Sequence, residues 1–347
     1  MKTLIFSLIA ALAVFSLSAA VLTVDNNIPS SGMYTTFNAA YNAAANGDII
    51  MIYPSTMSYG GYSIAKQLTI VGAGTDPANP DMVTTKFAPS VNNVEGSGTV
   101  FIGLDVYIST SSSYPATWRN CVFSSSLSIL RDGTALEECL FKSSVTIGNG
   151  TIETHDTTIK GCTFDNDSTK LNLNNLASCV LYNCLFYGNS YAVNCAQSNT
   201  TAAFNHCLFV NRDTGSLRLA TGQTSTGNLI FINNIFETIT YIPANFTYLY
   251  NIWEGSPTEV TDPSNYLGVN LANVMIDVNG GDYHYTASSL AYGNGQYGAD
   301  IGLYGGDTPY DDLWYLTYLP SIVDFDCPAI INQAGQLDVH IEAKVGN

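Results

Sequence analysis

Five segments of this chain repeat one pattern: Arg119-Asn120-Cys121-Val122-Phe123, Glu137-Glu138-Cys139-Leu140-Phe141, Lys160-Gly161-Cys162-Thr163-Phe164, Tyr182-Asn183-Cys184-Leu185-Phe186 and Asn205-His206-Cys207-Leu208-Phe209. The cysteines at 121, 139, 162, 184 and 207 stand 18, 23, 22 and 23 residues apart. Two degenerate copies follow, Ile232-Asn233-Asn234-Ile235-Phe236 and Leu249-Tyr250-Asn251-Ile252-Trp253, at steps of 27 and 17. A unit this short cannot bury its own apolar face, so it must stack on its neighbours as a solenoid.

The local period decides which solenoid. Cys and Phe two apart point to the same side of a strand. Three residues before each Cys stands another large apolar group: Trp118, Leu136, Ile159, Leu181, Phe204 and, in the sixth copy, Phe231. A gap of three cannot keep one face on a straight strand, so the chain must bend between them. The bend falls on Asn120, Glu138, Gly161, Asn183, His206 and Asn233. Asn, Gly and His tolerate a left-handed backbone, which fits a one-residue corner, and Glu138 is the misfit. Strand, corner, strand and loop, with Cys stacked on Cys and Phe on Phe, make the coil of a parallel β-helix. The spaced leucines and helical return segments of leucine-rich repeats are missing.

These repeats resemble the pectate-lyase-like (pectin lyase-like) superfamily of right-handed parallel β-helices, in its secreted bacterial form. Residues 34–46 place Phe37, Ala40, Tyr41 and Ala44 on one helical face, and Gly47-Asp48 ends that helix before a strand at 49–53. In similar proteins such a helix caps the open end of the stack. Segments 59–64 and 66–74 are similar to first coils, and 282–285 with 298–306 are similar to a closing segment. Residues 337–343 alternate apolar and polar and read as a final strand. The expected organisation is a signal peptide at 1–20, one elongated all-β domain of roughly ten coils over 21–305 with an N-terminal capping helix, and a C-terminal tail over 306–347.

Export is read from Lys2, the apolar run from Leu4 to Leu17 and the small residues Ser18-Ala19-Ala20. That run is too short to cross a bilayer, and no second one follows, so membrane insertion is not expected. Lys and Arg number 11 against 28 Asp and Glu, a formal charge of -17, which argues against nucleic acid as a partner. The expected location is extracellular or at a cell surface.

The five repeat cysteines read as small buried hydrophobes, because stacked side chains sit about 4.8 Å apart, wider than the Cβ spacing of a disulfide. Cys179 with Cys195 is left as a candidate local bridge. Arg119, Glu137 and Lys160 form an outward charge ladder, explained by cross-strand pairing. His155 has a solvated turn as its default place. Val122, Leu140, Thr163, Leu185, Leu208 and Ile235 should face outward as a mostly apolar stripe. The tyrosine-rich C-terminal segment folding back over it is preferred to an intermolecular interface.

Enzymes of the resembled superfamily act on acidic polysaccharides. The lyases gather carboxylates around calcium and use an Arg or Lys as base, and the hydrolases pair aspartates. The nearest equivalent here is a ridge of Asp165, Asp167, Arg212 and Asp213, with Asp165 and Asp167 as the calcium ligands if the chain is a lyase. The Asn-Thr-Asp, Asp-Asp, Gly-His-Gly and Arg-Ile-Lys pieces of the polygalacturonase-like hydrolases are absent. The sequence therefore favours a non-catalytic secreted or surface protein, glycan-binding, adhesive or structural, over a polysaccharide lyase or hydrolase. An ice- or mineral-binding face lacks the regular Thr-x-Thr rows it would need.

Overall fold

The structure, a computed structural model, describes residues 19–75, 81–151, 153–174, 177–195, 199–211, 217–220, 228–313, 320–326 and 340–345. The export segment at 1–18 lies outside them, as do Arg212 and Asp213. Among the described residues no helix is long and apolar enough to cross a membrane.

The chain winds as a right-handed parallel β-helix with three sheets. The first sheet has eleven strands, from Val21–Val24 to Thr247–Leu249, the second has eight, from Asp105–Val106 to Ile252–Trp253, and the third has six, from Thr110–Ser112 to Leu217–Ala220. Each strand pairs in parallel with its counterpart on the next coil. Trp118 lies over Leu136, Leu136 over Ile159, Ile159 over Leu181 and Leu181 over Phe204.

The bend before each cysteine is a left-handed corner of one residue. Its φ is 51° at Asn120, 52° at Glu138, 58° at Gly161, 50° at Asn183, 55° at His206 and 58° at Asn233. Gly103 and Tyr250 take the same conformation on the flanking coils. Glu138 adopts it despite its side chain, and its carboxylate accepts a hydrogen bond from Asn120 Nδ2 at 3.1 Å. The corner turns Cys and Phe inward. Rings from Phe123 through Phe141, Phe164, Phe186 and Phe209 to Phe236 stack with centroids 4.6–5.0 Å apart, and Trp253 closes the column. Burying each ring is worth roughly 1.5–3 kcal/mol, so a one-coil slip would be costly.

A corner interrupts the backbone ladder and leaves polar groups inside the tube. The inward side chain beside each corner answers them. Cys139 Sγ faces Glu137 O at 3.3 Å, Cys162 Sγ faces Lys160 O at 3.3 Å, and Cys139 N–H points at Cys162 Sγ at 3.4 Å. At 234 and 251 asparagine replaces cysteine and does the same more strongly. Asn234 Oδ1 accepts Cys207 N–H at 2.7 Å, and Asn251 Oδ1 accepts Asn234 N–H at 2.8 Å. Cys179 and Cys195 are both buried thiols rather than halves of a disulfide.

The N-terminal helix spans Phe37–Ala43, with Thr36 Oγ1 accepting Ala39 N–H, and buries Phe37, Ala40 and Tyr41. At the other end Asn265 passes under Asn251, and Ile252 bridges Tyr266. Beyond that point the chain runs back along the second sheet. Leu271, Val274, Met275, Ala291, Ile301 and Leu303 pack on Leu185, Leu208, Ile235 and Ile252, while Tyr310 packs on Val122 and Leu140. The stripe is thus covered by the chain's own C-terminal segment, as its apolar character demanded. Beyond it, Pro320–Asp326 pairs with His340–Val345 as an antiparallel hairpin.

Candidate functional site

Where the returning segment lifts off the second sheet, a cleft of about 430 Å³ opens between the outer face of that sheet and the loop 278–283. Its floor is the outward column one residue beyond each inward Phe. Asp165 lies in register with Tyr187, and Tyr187 with Val210. Glu237 continues the column after Phe236, and Asn211 borders it. Its roof is Val278, Asn279, Gly280, Gly281 and Tyr283. Two aromatic rings, two carboxylates and two amides around a concave floor match the general form of small-molecule sites.

The electrostatics separate these groups. Burial pushes the Glu237 carboxyl above its usual range, with Glu254 nearby adding to the shift, and the Asn211 N–H it accepts at 2.6 Å works against both. The Tyr283 phenol is likewise pushed up, chiefly by burial. Glu254 Oε2 takes Thr238 N–H at 3.2 Å and its hydroxyl at 2.9 Å.

Of the residues singled out from sequence, Asp165 lines the cleft and Asp167 does not. Asp167 sits on an exposed turn, where its Oδ1 accepts Asn189 N–H at 3.2 Å. No group of three or more His, Cys, Asp or Glu side chains among the described residues is arranged to hold a metal ion, and Asp213, the third carboxylate of the expected ridge, lies outside those residues. The outward charge ladder is structural: Arg119 pairs with Glu137, and Lys160 lies over the Tyr182 ring at 5.9 Å. His155 lies in the strand Thr154–Lys160 rather than in a turn, exposed, with Nε2 3.0 Å from Glu153 Oε2.

Sequence reading missed Tyr187, Glu237 and Tyr283. The first two stand directly after Phe186 and Phe236, so the repeat carried their signal. Tyr283 comes from a segment with no repeat, and nothing local marks it.

No protein-family model and no curated protein matches the chain. Among solved structures it is similar to the pectin methylesterase from Aspergillus niger, at 16% identity over 86% of this chain and 96% of that one, with a TM-score of 0.37. The three parallel sheets and the left-handed corner between the first two give this chain the fold that the resemblance in its repeats implied.

Proposed function

We propose that this chain is an exported, non-catalytic β-helix protein that binds glycan, at a cell surface or outside the cell, as an adhesive or structural element. The observation that carries the reading is how the second-sheet carboxylates are used. Asp167, Glu237 and Glu254 each accept a backbone N–H from a neighbouring coil. Groups spent on closing turns are poor acids and bases, since a catalytic carboxyl must reach the bond it protonates and hold a set distance from its partner. The same cleft offers Tyr187 and Tyr283 as ring faces and Asn211 and Asn279 as amides, the chemistry that meets a sugar's apolar face and its hydroxyls. Export is supported by the charged, apolar and small-residue order of the first twenty residues.

The test is a glycan array on the mature chain, alongside a screen of uronic-acid and neutral polysaccharides for new reducing ends and for unsaturated-product absorbance. Binding without turnover, weakened by Tyr283→Ala, is the expected result. Turnover that disappears in Asp167→Ala would overturn the non-catalytic reading in favour of a lyase or hydrolase built on Asp165, Asp167, Arg212 and Asp213.

A further inference from the structure

The first sheet carries a face that neither the cleft nor the described part of the returning segment uses. Its eleven strands place an outward column in register from Val21 through Ile49, Thr69 and Val100 to Ile230 and Thr247. Every position in that column is Val, Ile, Thr or Ala, and none of the chain's 28 Asp and Glu or 11 Lys and Arg stands in it. At the ~4.8 Å spacing of neighbouring strands the column runs for about 48 Å along the axis. None of its residues is buried, whereas Leu208 and Ile235 of the second-sheet stripe are fully covered.

Strand propensity alone does not produce this composition. It favours Tyr, Phe and Trp along with Val, Ile and Thr, and it disfavours Ala. No aromatic ring stands in the column, and Ala occupies it at 135 and 203. What the four residue types share is an uncharged side chain that rises little above the backbone, which keeps the face level. The hydroxyls of Thr69, Thr117, Thr158 and Thr247 make no hydrogen bond among the described residues, so they are open to an outside partner. The flanking column toward the corner is charged only at Arg119, Glu137 and Lys160, and there Arg119 pairs with Glu137.

We infer that this face is a docking surface for an ordered, insoluble β-glucan, a polymer that presents only ring C–H groups and hydroxyls. The threonine hydroxyls meet its hydroxyls, and the methyl groups of Val, Ile, Thr and Ala meet its C–H faces. A charged polymer would give up hydration to a column with no counter-charge. No amide stands in the column to meet an acetamido group, which favours a plain glucan over chitin. A second copy of the chain fits less well. Two outward residues per strand make a face roughly 10 Å wide and roughly 500 Å² in area, short of the ~800 Å² per partner of a stable interface. Two chains of formal charge -17 also repel one another. The inference rests on the glycan-binding reading but not on the Tyr187–Tyr283 cleft.

Co-sedimentation of the full mature chain with microcrystalline cellulose, chitin powder and a pectate gel tests it. Pelleting with cellulose is expected, about tenfold weaker or more with chitin and pectate, and unchanged between about 0.1 and 1 M salt. Val180→Lys and Ala203→Lys each raise a charged chain above the face and should weaken pelleting about tenfold or more while the melting temperature holds. Ala203→Thr, which keeps an uncharged residue, should retain it. No pelleting with cellulose, a preference for chitin, or pelleting that survives both lysine variants overturns the inference. A dimer in sedimentation that either lysine variant disperses assigns the face to a second copy and overturns it as well. Pelleting lost in Tyr283→Ala and kept in Ala203→Lys moves the glycan to the cleft, so this inference falls while the glycan reading stands. A blank glycan array with cellulose pelleting intact removes the cleft and supports this face alone.

Discussion

Between Leu185 and Ile252 the outward stripe of the second sheet lies under seven buried apolar residues of the returning segment, whereas Val122 and Leu140, the same stripe on earlier coils, meet only Tyr310 among the described residues. Both regions solve one problem, since a solenoid that turns leucine and isoleucine outward must hide them. The later coils solve it with a layer of chain that is part of the fold. Asn183 Nδ2 donates to Leu303 O at 2.8 Å and Gly305 O at 2.7 Å, and Gly302 N–H donates to Asn233 O at 2.7 Å, so the corner residues hold the layer down. Among the described residues the earlier coils have one ring and one hydroxyl contact, between Thr163 Oγ1 and Tyr310 Oη at 2.6 Å. The thick part should therefore unfold with the coils and the thin part before them.

The largest effect expected from this contrast comes at Gly302. Its φ is +93°, and a Cβ placed there would lie 2.4 Å from Ile235 Cδ1 and 2.7 Å from Cγ1. Ile235 is fully buried, so shifting its side chain would disturb the packing around it. Gly302→Ala should destabilise the protein by about 2–4 kcal/mol, combining backbone strain with overpacking. Denaturant unfolding measures it, and a loss below about 0.5 kcal/mol would show that the layer is loosely seated. Next comes Asn183→Ala, which removes both carbonyl contacts and puts alanine in a left-handed corner. A cost of about 1.5–3 kcal/mol is expected, and Asn183→Gly, which keeps the corner, should recover part of it.

The legible part of this fold is the part that repeats. Cys and Phe at fixed spacing give the inward stack, and the residue before Cys gives the corner, even at Glu138, where the stacks on either side enforce a conformation that glutamate disfavours alone. The coil before the first cysteine escaped notice because Leu104 and Val106 stand where Cys and Phe would, although Gly103 marks the same corner. The asparagine ladder was hidden for a chemical reason: Asn234 and Asn251 looked like degraded copies, yet at those positions an amide pairs the corner backbone better than a thiol does. The cleft was less legible than the tube. Tyr283 reaches it through a return path of irregular length, so the juxtaposition has no sequence spacing to betray it.

A pH series sharpens the comparison within the thick part. His206 sits at a corner beneath Gly305 and Gly306, with Nε2 3.2 Å from Asn233 Nδ2. Burial holds its pKa below the ordinary value of 6.5, against the opposing pull of Asp300 and Asp307. The unfolded chain therefore binds the proton more readily than the folded one. Stability from this group is complete above about pH 6.5 and is lost as pH falls toward the depressed folded value. His206→Asn keeps a residue that tolerates the corner and should flatten stability across that window. A slope unchanged by the substitution would show that His206 does not carry it, and Glu138 and Glu237, whose raised values act in the opposite direction, could not supply it in its place.

The smallest effect is expected at the thin end, and it is the one that decides whether the contrast is real. Tyr310→Phe keeps the ring over Val122 and Leu140 and removes only the hydroxyl that meets Thr163. The loss should be about 0.5–1.5 kcal/mol, the range for one hydrogen bond exchanged for water. Its location matters more than its size. Amide exchange should quicken around 122–140 and near 310 and change less from 235 to 303, because Tyr310 packs on the apolar cluster there through its ring, which the substitution keeps, and not through its hydroxyl. His284, half-exposed between Asp282 at 2.8 Å and Asp312 at 3.2 Å, holds the chain just beyond Tyr310 through contacts that the substitution leaves in place. If exchange instead quickens along the whole returning segment, the layer opens as one unit and the two ends do not differ in the way their packing implies.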